Sequence, residues 1–121
     1  ADSYKGTSLI VAYSHCIAHG YDMADALVQQ ERAVDSAYWP LFRYDPRLAA
    51  QGQNPFTLDS AAPKGDLGSF TRNEARFRLV EQQDPERFKT LLAQGQADIQ
   101  RHFAIYDTWL KRGSEPPAPT R

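Results

Sequence analysis

The sequence has little from which to build a metal centre. One cysteine, Cys16, stands among 121 residues. A single thiol excludes an internal disulfide, a four-thiolate zinc site and an iron–sulfur cluster held by this chain alone. A surplus of charge is also missing: 14 Lys and Arg against 15 Asp and Glu leave a net charge of -1. Phosphate binding needs a cationic surplus, so no nucleic-acid partner is expected. No apolar run approaches the ~20 residues that cross a bilayer, so no membrane partner is expected either. No signal peptide precedes the first apolar stretch, and the first residue is Ala1 rather than Met. With 7 Gly and 8 Pro the composition is that of a globular chain, not of a fibrous or disordered one. The length suits one domain or a piece of one, with roughly two thirds of the unfolded surface buried.

What is present reads as α/β. Ser8-Leu9-Ile10-Val11-Ala12-Tyr13 is a continuous, β-branched apolar run. Such continuity suggests a strand buried on both faces, as in a parallel sheet. Asp22 is placed to cap a helix over residues 23–37, with Met23, Leu27, Val34 and Ala37 on one face and Gln29 on the other. Residues 38–44 read as a second strand, with Pro40 limiting it to a strand start or an edge. Strand, helix and strand make a βαβ unit with a right-handed crossover. Residues 47–70 are dense in Gly and Pro and read as a long surface loop with one helical turn near Arg47. Thr71-Arg72-Asn73-Glu74 fits a capping box for a helix over residues 71–83. Asp84-Pro85 then opens a long amphipathic helix carrying Phe88, Leu91, Leu92, Ile99, Phe103, Tyr106 and Leu110. Lys111, Arg112 and Gly113 end it. The fold class expected is therefore a partial parallel sheet followed by a helical carboxyl-terminal extension. The division expected is an α/β part over 1–46, a surface loop over 47–70, a two-helix extension over 71–113 and a disordered tail over 114–121.

Candidate chemistry gathers after the first strand. Ser14, His15, Cys16 and His19 occupy the carboxyl end of that strand, where ligands bind in open α/β sheets. Cys16 and His19 also have a zinc-compatible spacing, with Asp22 or His102 as a further ligand. A Cys–His nucleophile is a second possibility. Each competes with a plain polar turn. Gly65-Asp66-Leu67-Gly68 has no preceding strand and reads as an ordinary turn rather than a phosphate loop. Arg72, Arg76 and Arg78 are balanced by Glu74 and Glu81 and read as a solvated or docking face.

Four segments carry a family resemblance. They are Ser8-Leu9-Ile10-Val11-Ala12-Tyr13-Ser14-His15-Cys16-Ile17-Ala18-His19-Gly20, Tyr38-Trp39-Pro40-Leu41-Phe42-Arg43-Tyr44-Asp45-Pro46, Asn54-Pro55-Phe56-Thr57-Leu58-Asp59-Ser60 and Asn73-Glu74-Ala75-Arg76-Phe77. In this order they resemble the carboxyl-terminal end of the pyruvate:ferredoxin (flavodoxin) oxidoreductases, from the last strands of the thiamine-diphosphate domain to about residue 112. Thr7 departs from a frequent proline of that family and Ala37 from a frequent glycine. The resemblance implies a cytoplasmic, homodimeric parent enzyme. That parent oxidatively decarboxylates pyruvate with CoA to acetyl-CoA and CO2. It uses thiamine diphosphate, magnesium and 4Fe-4S clusters and passes electrons to ferredoxin or flavodoxin. The family's Gly-Asp-Gly motif for magnesium and diphosphate lies upstream of residue 8 and is absent from this chain, and Gly65-Asp66 does not replace it. The chain is thus expected to bind none of these cofactors alone. Its role would be to complete the thiamine domain and pack against the remaining domains, without activity by itself. Ser14, His15, Cys16 and His19 are carried over only as residues near the cofactor. The competing expectation is a stand-alone α/β module for small-ligand binding or dimerisation.

Overall fold

The computed structural model describes residues 1–112. Short 3-10 turns at Ile17–His19 and Met23–Asp25 precede α1 (Ala26–Asp35). There follow β1 (Phe42–Tyr44), α2 (Pro46–Ala49), β2 (Phe56–Leu58), α3 (Leu67–Arg72), α4 (Ala75–Gln83) and α5 (Pro85–Lys111). The chain thus mixes helix and strand and ends in the helical extension that was expected. The expectations for Gly113 and for residues 114–121 lie outside the described residues. Among the described residues no helix is long and apolar enough to cross a membrane.

Asp22 caps as expected, accepting from the Ala24 amide at 2.9 Å. The buried face of α1 differs from expectation. Ala26, Gln29 and Ala33 are buried, whereas Leu27 is 77% exposed. The reason is close approach: small alanines let α1 come near enough to α3 for the Gln29 Nε2 to reach the Phe70 carbonyl at 3.0 Å. After α1 the chain turns through Ala37, whose φ of 55° is left-handed. The Trp39 amide then folds back to the Ala33 carbonyl at 2.9 Å.

The sheet is the main correction. β1 pairs with β2 and is antiparallel, with Phe42 opposite Leu58 and Tyr44 opposite Phe56. No parallel βαβ unit forms among the described residues. Residues 8–13 form no strand and no other regular element, and residues 8–12 make no backbone–backbone hydrogen bond among the described residues. A strand exists only through pairing. The local partner, reached by a short connection, is the segment after Asn54 that was read as loop. That connection is itself ordered. Asp45 caps α2, accepting from the Arg47 amide at 3.0 Å, and Arg47 holds the Asp45 carboxyl down to about 2. At the other end of the ladder the Ser60 hydroxyl accepts from the Leu41 amide at 2.6 Å.

The expected helix over residues 71–83 is broken in two. Asp66 caps α3 by accepting from the Ser69 amide at 3.0 Å. Thr71 lies inside α3, its hydroxyl donating to the Leu67 carbonyl at 3.0 Å, so it caps nothing. Glu74 precedes α4 without making a side-chain cap, because its carboxylate is turned inward. Asp84 and Pro85 open α5 as expected, with the Asp84 carboxylate accepting from the Arg87 amide at 3.0 Å. At 27 residues α5 is about 40 Å long.

The core is Ala33, Leu67 and Phe70, with Tyr13, Trp39, Phe77, Leu92 and Ile99 against it. Gly95 lets α5 cross here, since a Cβ there would lie 3.1 Å from the Leu67 Cδ2. A second, aromatic cluster joins the hairpin to the end of α5: Phe42, Phe56, Tyr106 and Trp109 have ring centroids 5.4 to 6.0 Å apart. Of α5 only Phe88 is buried, and Leu91, Ile105 and Leu110 remain substantially exposed.

Candidate functional site

The break between α3 and α4 turns Glu74 into the interior, where it is fully buried. A buried carboxylate needs donors, and three surround it. Gln29 Nε2 donates to Oε1 at 3.0 Å and the Tyr13 hydroxyl to the same oxygen at 3.4 Å. Arg76 Nε donates to Oε2 at 2.5 Å. Gln29 is also fully buried; its Oε1 accepts from Asn73 Nδ2 at 2.8 Å. The Arg76 guanidinium lies over the Phe77 ring at 4.6 Å. Burial works against its charge, but the Glu74 hydrogen bond and charge outweigh that and raise its pKa.

The segment before α1 is pinned onto this cluster at Gly20. Its φ is 75°, and a Cβ would lie 2.4 Å from the Ala75 Cβ, so only glycine fits. The Gly20 carbonyl accepts from the Ala75 amide at 3.0 Å and from Arg78 Nη2 at 3.3 Å. This contact sets His19 Nδ1 3.8 Å from Glu74 Oε1. The His19 ring is stacked 6.2 Å from that of Tyr13, with Tyr21 6.5 Å away on a tilted ring. Burial first, and then the Glu74 carboxylate, push the Tyr13 hydroxyl up to about 12. The same two causes raise Tyr21. Three polar atoms are sealed here without a hydrogen-bond partner: His19 Nδ1, the Tyr21 hydroxyl and Arg76 Nη2.

Of the four residues picked from the sequence, His19 enters this cluster and the others do not. Ser14, His15 and Cys16 are exposed, the Ser14 hydroxyl donating only to the adjacent His15 carbonyl at 3.2 Å. Cys16 is free and extended at the start of the first turn. Cys16, His19, Asp22 and His102 do not assemble, since among the described residues no three His, Cys, Asp or Glu side chains converge as a metal site. With one thiol in the sequence and no converging carboxylates among the described residues, the donor set described does not fit magnesium or an iron–sulfur cluster. Gly65-Asp66-Leu67-Gly68 is not a plain turn: Asp66 caps α3 and Leu67 and Gly68 begin it, while the Lys64 and Gly65 amides donate to the Asp35 carbonyl at 3.0 and 2.9 Å.

The centre of the cluster escaped the sequence reading. The sequence pattern makes Glu74 half of a capping box and places Gln29 on the polar face of α1. A signal existed for Gln29: with Ala26 and Ala33 it falls on steps of three and four, the side of α1 that is buried. Chemically, the site gathers a carboxylate, two phenols, an imidazole and a guanidinium in one low-dielectric place. That combination holds protons at defined atoms.

No family model matches the chain. It is similar to the pyruvate-flavodoxin oxidoreductase of Rhodospirillum rubrum, 45% identical over 105 residues. That match covers 87% of this chain and 9% of the relative. The pyruvate-flavodoxin oxidoreductase of Trichormus variabilis is 46% identical over 106 residues, with 88% and 9% covered. The pyruvate:ferredoxin oxidoreductase of Moorella thermoacetica is 40% identical over 106 residues, again with 88% and 9% covered. The chain therefore spans about 9% of the length of these relatives. By these likenesses the chain is similar to one segment of the pyruvate-flavodoxin and pyruvate:ferredoxin oxidoreductases, the family that its motifs resemble.

Proposed function

We propose that this chain acts as the carboxyl-terminal piece of a pyruvate:ferredoxin/flavodoxin oxidoreductase, completing its thiamine domain and catalysing nothing alone. One observation carries the reading. Leu9, Ile10 and Val11 are 85%, 76% and 67% exposed in a segment without regular structure, whose backbone groups find no backbone partner among the described residues. Apolar, β-branched and unpaired, such a segment calls for neighbouring strands to cover it. In the whole enzyme the division is an α/β part over 1–46, a surface loop over 47–70, a two-helix extension over 71–113 and a tail. The parent enzyme holds thiamine diphosphate, magnesium and 4Fe-4S clusters, none of them bound by this chain alone, and meets ferredoxin or flavodoxin through other domains. Ser14, His15, Cys16 and His19 lie on the side turned to the cofactor. The enzyme oxidises pyruvate with CoA to acetyl-CoA and CO2, is a homodimer and is cytoplasmic.

Complementation tests this. A family member made without the corresponding segment should be inactive and should regain pyruvate- and CoA-dependent reduction of ferredoxin or flavodoxin when this chain is supplied. The chain alone, given pyruvate, CoA, magnesium and thiamine diphosphate, should show no turnover. Turnover by the chain alone, or failure to restore the truncated enzyme, rejects the reading. A stable dimer of the chain with α5 protected would favour the stand-alone module instead.

A further inference from the structure

Three observations at the buried cluster bear on the state of one imidazole. First, His19 Nδ1 is sealed from solvent and has no hydrogen-bond partner. Its ionisable neighbour within 4 Å is the Glu74 carboxylate, Oε1 at 3.8 Å. Second, the ring is held in place. Tyr13 stacks on it, and the following Gly20 is locked to Ala75 and Arg78. Third, the side chain is not wholly enclosed: 19% of its area is open.

We infer that Glu74 is a positioning residue, fixing the His19 imidazole with its proton on Nδ1 and leaving Nε2 as a hydrogen-bond and proton acceptor. A neutral imidazole carries one ring proton, on either nitrogen. With the proton on Nε2, the Nδ1 lone pair would face a buried carboxylate oxygen and neither group could hydrate. With the proton on Nδ1, an N–H dipole points at the charge. In a sealed, low-dielectric place that difference decides the tautomer. The 3.8 Å separation exceeds a hydrogen bond, so the effect is that of charge on dipole, strengthened by any closing of the gap. The other charged and titratable groups of the cluster leave the arrangement intact. Arg76 engages the other carboxylate oxygen, Tyr13 donates to Oε1 from a neutral hydroxyl, and the Tyr21 hydroxyl, its pKa also raised by burial, donates to no group. Gln29, its own Oε1 accepting from Asn73 Nδ2, donates through Nε2 to Glu74 Oε1 and holds that oxygen in place. The group presented at Nε2 accordingly takes an O–H or N–H donor, from a ligand or from a neighbouring domain. The inference concerns this chain's own residues and holds whatever larger protein surrounds them.

Ring-nitrogen NMR tests it on the 121-residue chain. Long-range proton–nitrogen spectra at about pH 9 would be recorded, where free imidazole is neutral. His15→Gln and His102→Gln variants assign the three rings. His19 should show a pyrrole-type Nδ1 and a pyridine-type Nε2. The exposed His15 and His102 should show averaged nitrogens with Nε2–H dominant. In Glu74→Gln the His19 resonances should move towards that average, and in Tyr21→Phe they should not. A wild-type His19 with its proton on Nε2, or with free-like averaging, overturns the inference even if Glu74→Gln fails to fold. A tautomer that changes in Tyr21→Phe also overturns it.

Discussion

Ala37 is a buried alanine in a left-handed backbone conformation, with φ 55°. That region costs an L side chain about 1–2 kcal/mol, partly offset in a glycine variant by the freer unfolded chain. Ala37→Gly should therefore raise stability by about 1 kcal/mol, seen as a higher urea midpoint at unchanged m-value. An unchanged or lower midpoint would show that the methyl's packing outweighs its strain. Tyr13 gives a second prediction. Its proton is held to about 12 in the folded chain, against about 10 when unfolded. The folded state then binds more proton between those values, so stability is whole below pH 10 and falls as pH rises through the folded pKa. In Tyr13→Phe that alkaline fall should flatten, as read from urea midpoints between about pH 9 and 11. At this scale the sequence was partly readable. Ala37 stood out as a departure from a frequent glycine, and His19 was singled out. Glu74 was not, because nothing local distinguishes an inward carboxylate from a capping one.

Among the elements, α5 and its opening Asp84-Pro85 were legible because a long periodic pattern and a local cap need no distant partner. The pairing of strands was not. Apolar continuity in residues 8–13 indicates burial but does not name what buries it, and the true pair, β1 with β2, spans residues rich in proline and glycine. Asn54 shows what holds that hairpin to the long helix. Its Nδ2 donates to the carbonyls of Trp109 and Leu110 at 3.0 and 3.1 Å, and its Oδ1 accepts from the Phe56 amide at 3.0 Å. It therefore caps the carboxyl end of α5 and the start of β2 with one side chain. Asn54→Ala should cost about 1–2 kcal/mol and speed amide exchange at Arg112 and Phe56 more than at Phe88. Equal exchange at all three would mean that the aromatic cluster alone secures the helix end.

Among the described residues, apolar side chains lie uncovered at residues 9–11 and along stretches of α5, and also at Ile17 and Leu27. The charged variant Ile10→Asp separates folding from association. Because Ile10 is 76% exposed, the change should leave the urea midpoint of the chain within about 0.5 kcal/mol of wild type. It should nevertheless weaken rescue of the truncated enzyme at least tenfold in the concentration of chain required. A large loss of stability would place Ile10 in a core of this chain instead. The ties of the buried cluster bear on a different matter, the order of events during synthesis. Glu74 meets Gln29 across 45 residues and Tyr13 across 61. At about 5–20 residues per second, a growing chain carries Tyr13 for several seconds before its partner has been made. Through that interval the Tyr13 hydroxyl has no carboxylate to meet, so the buried cluster closes only after the ribosome has passed residue 74.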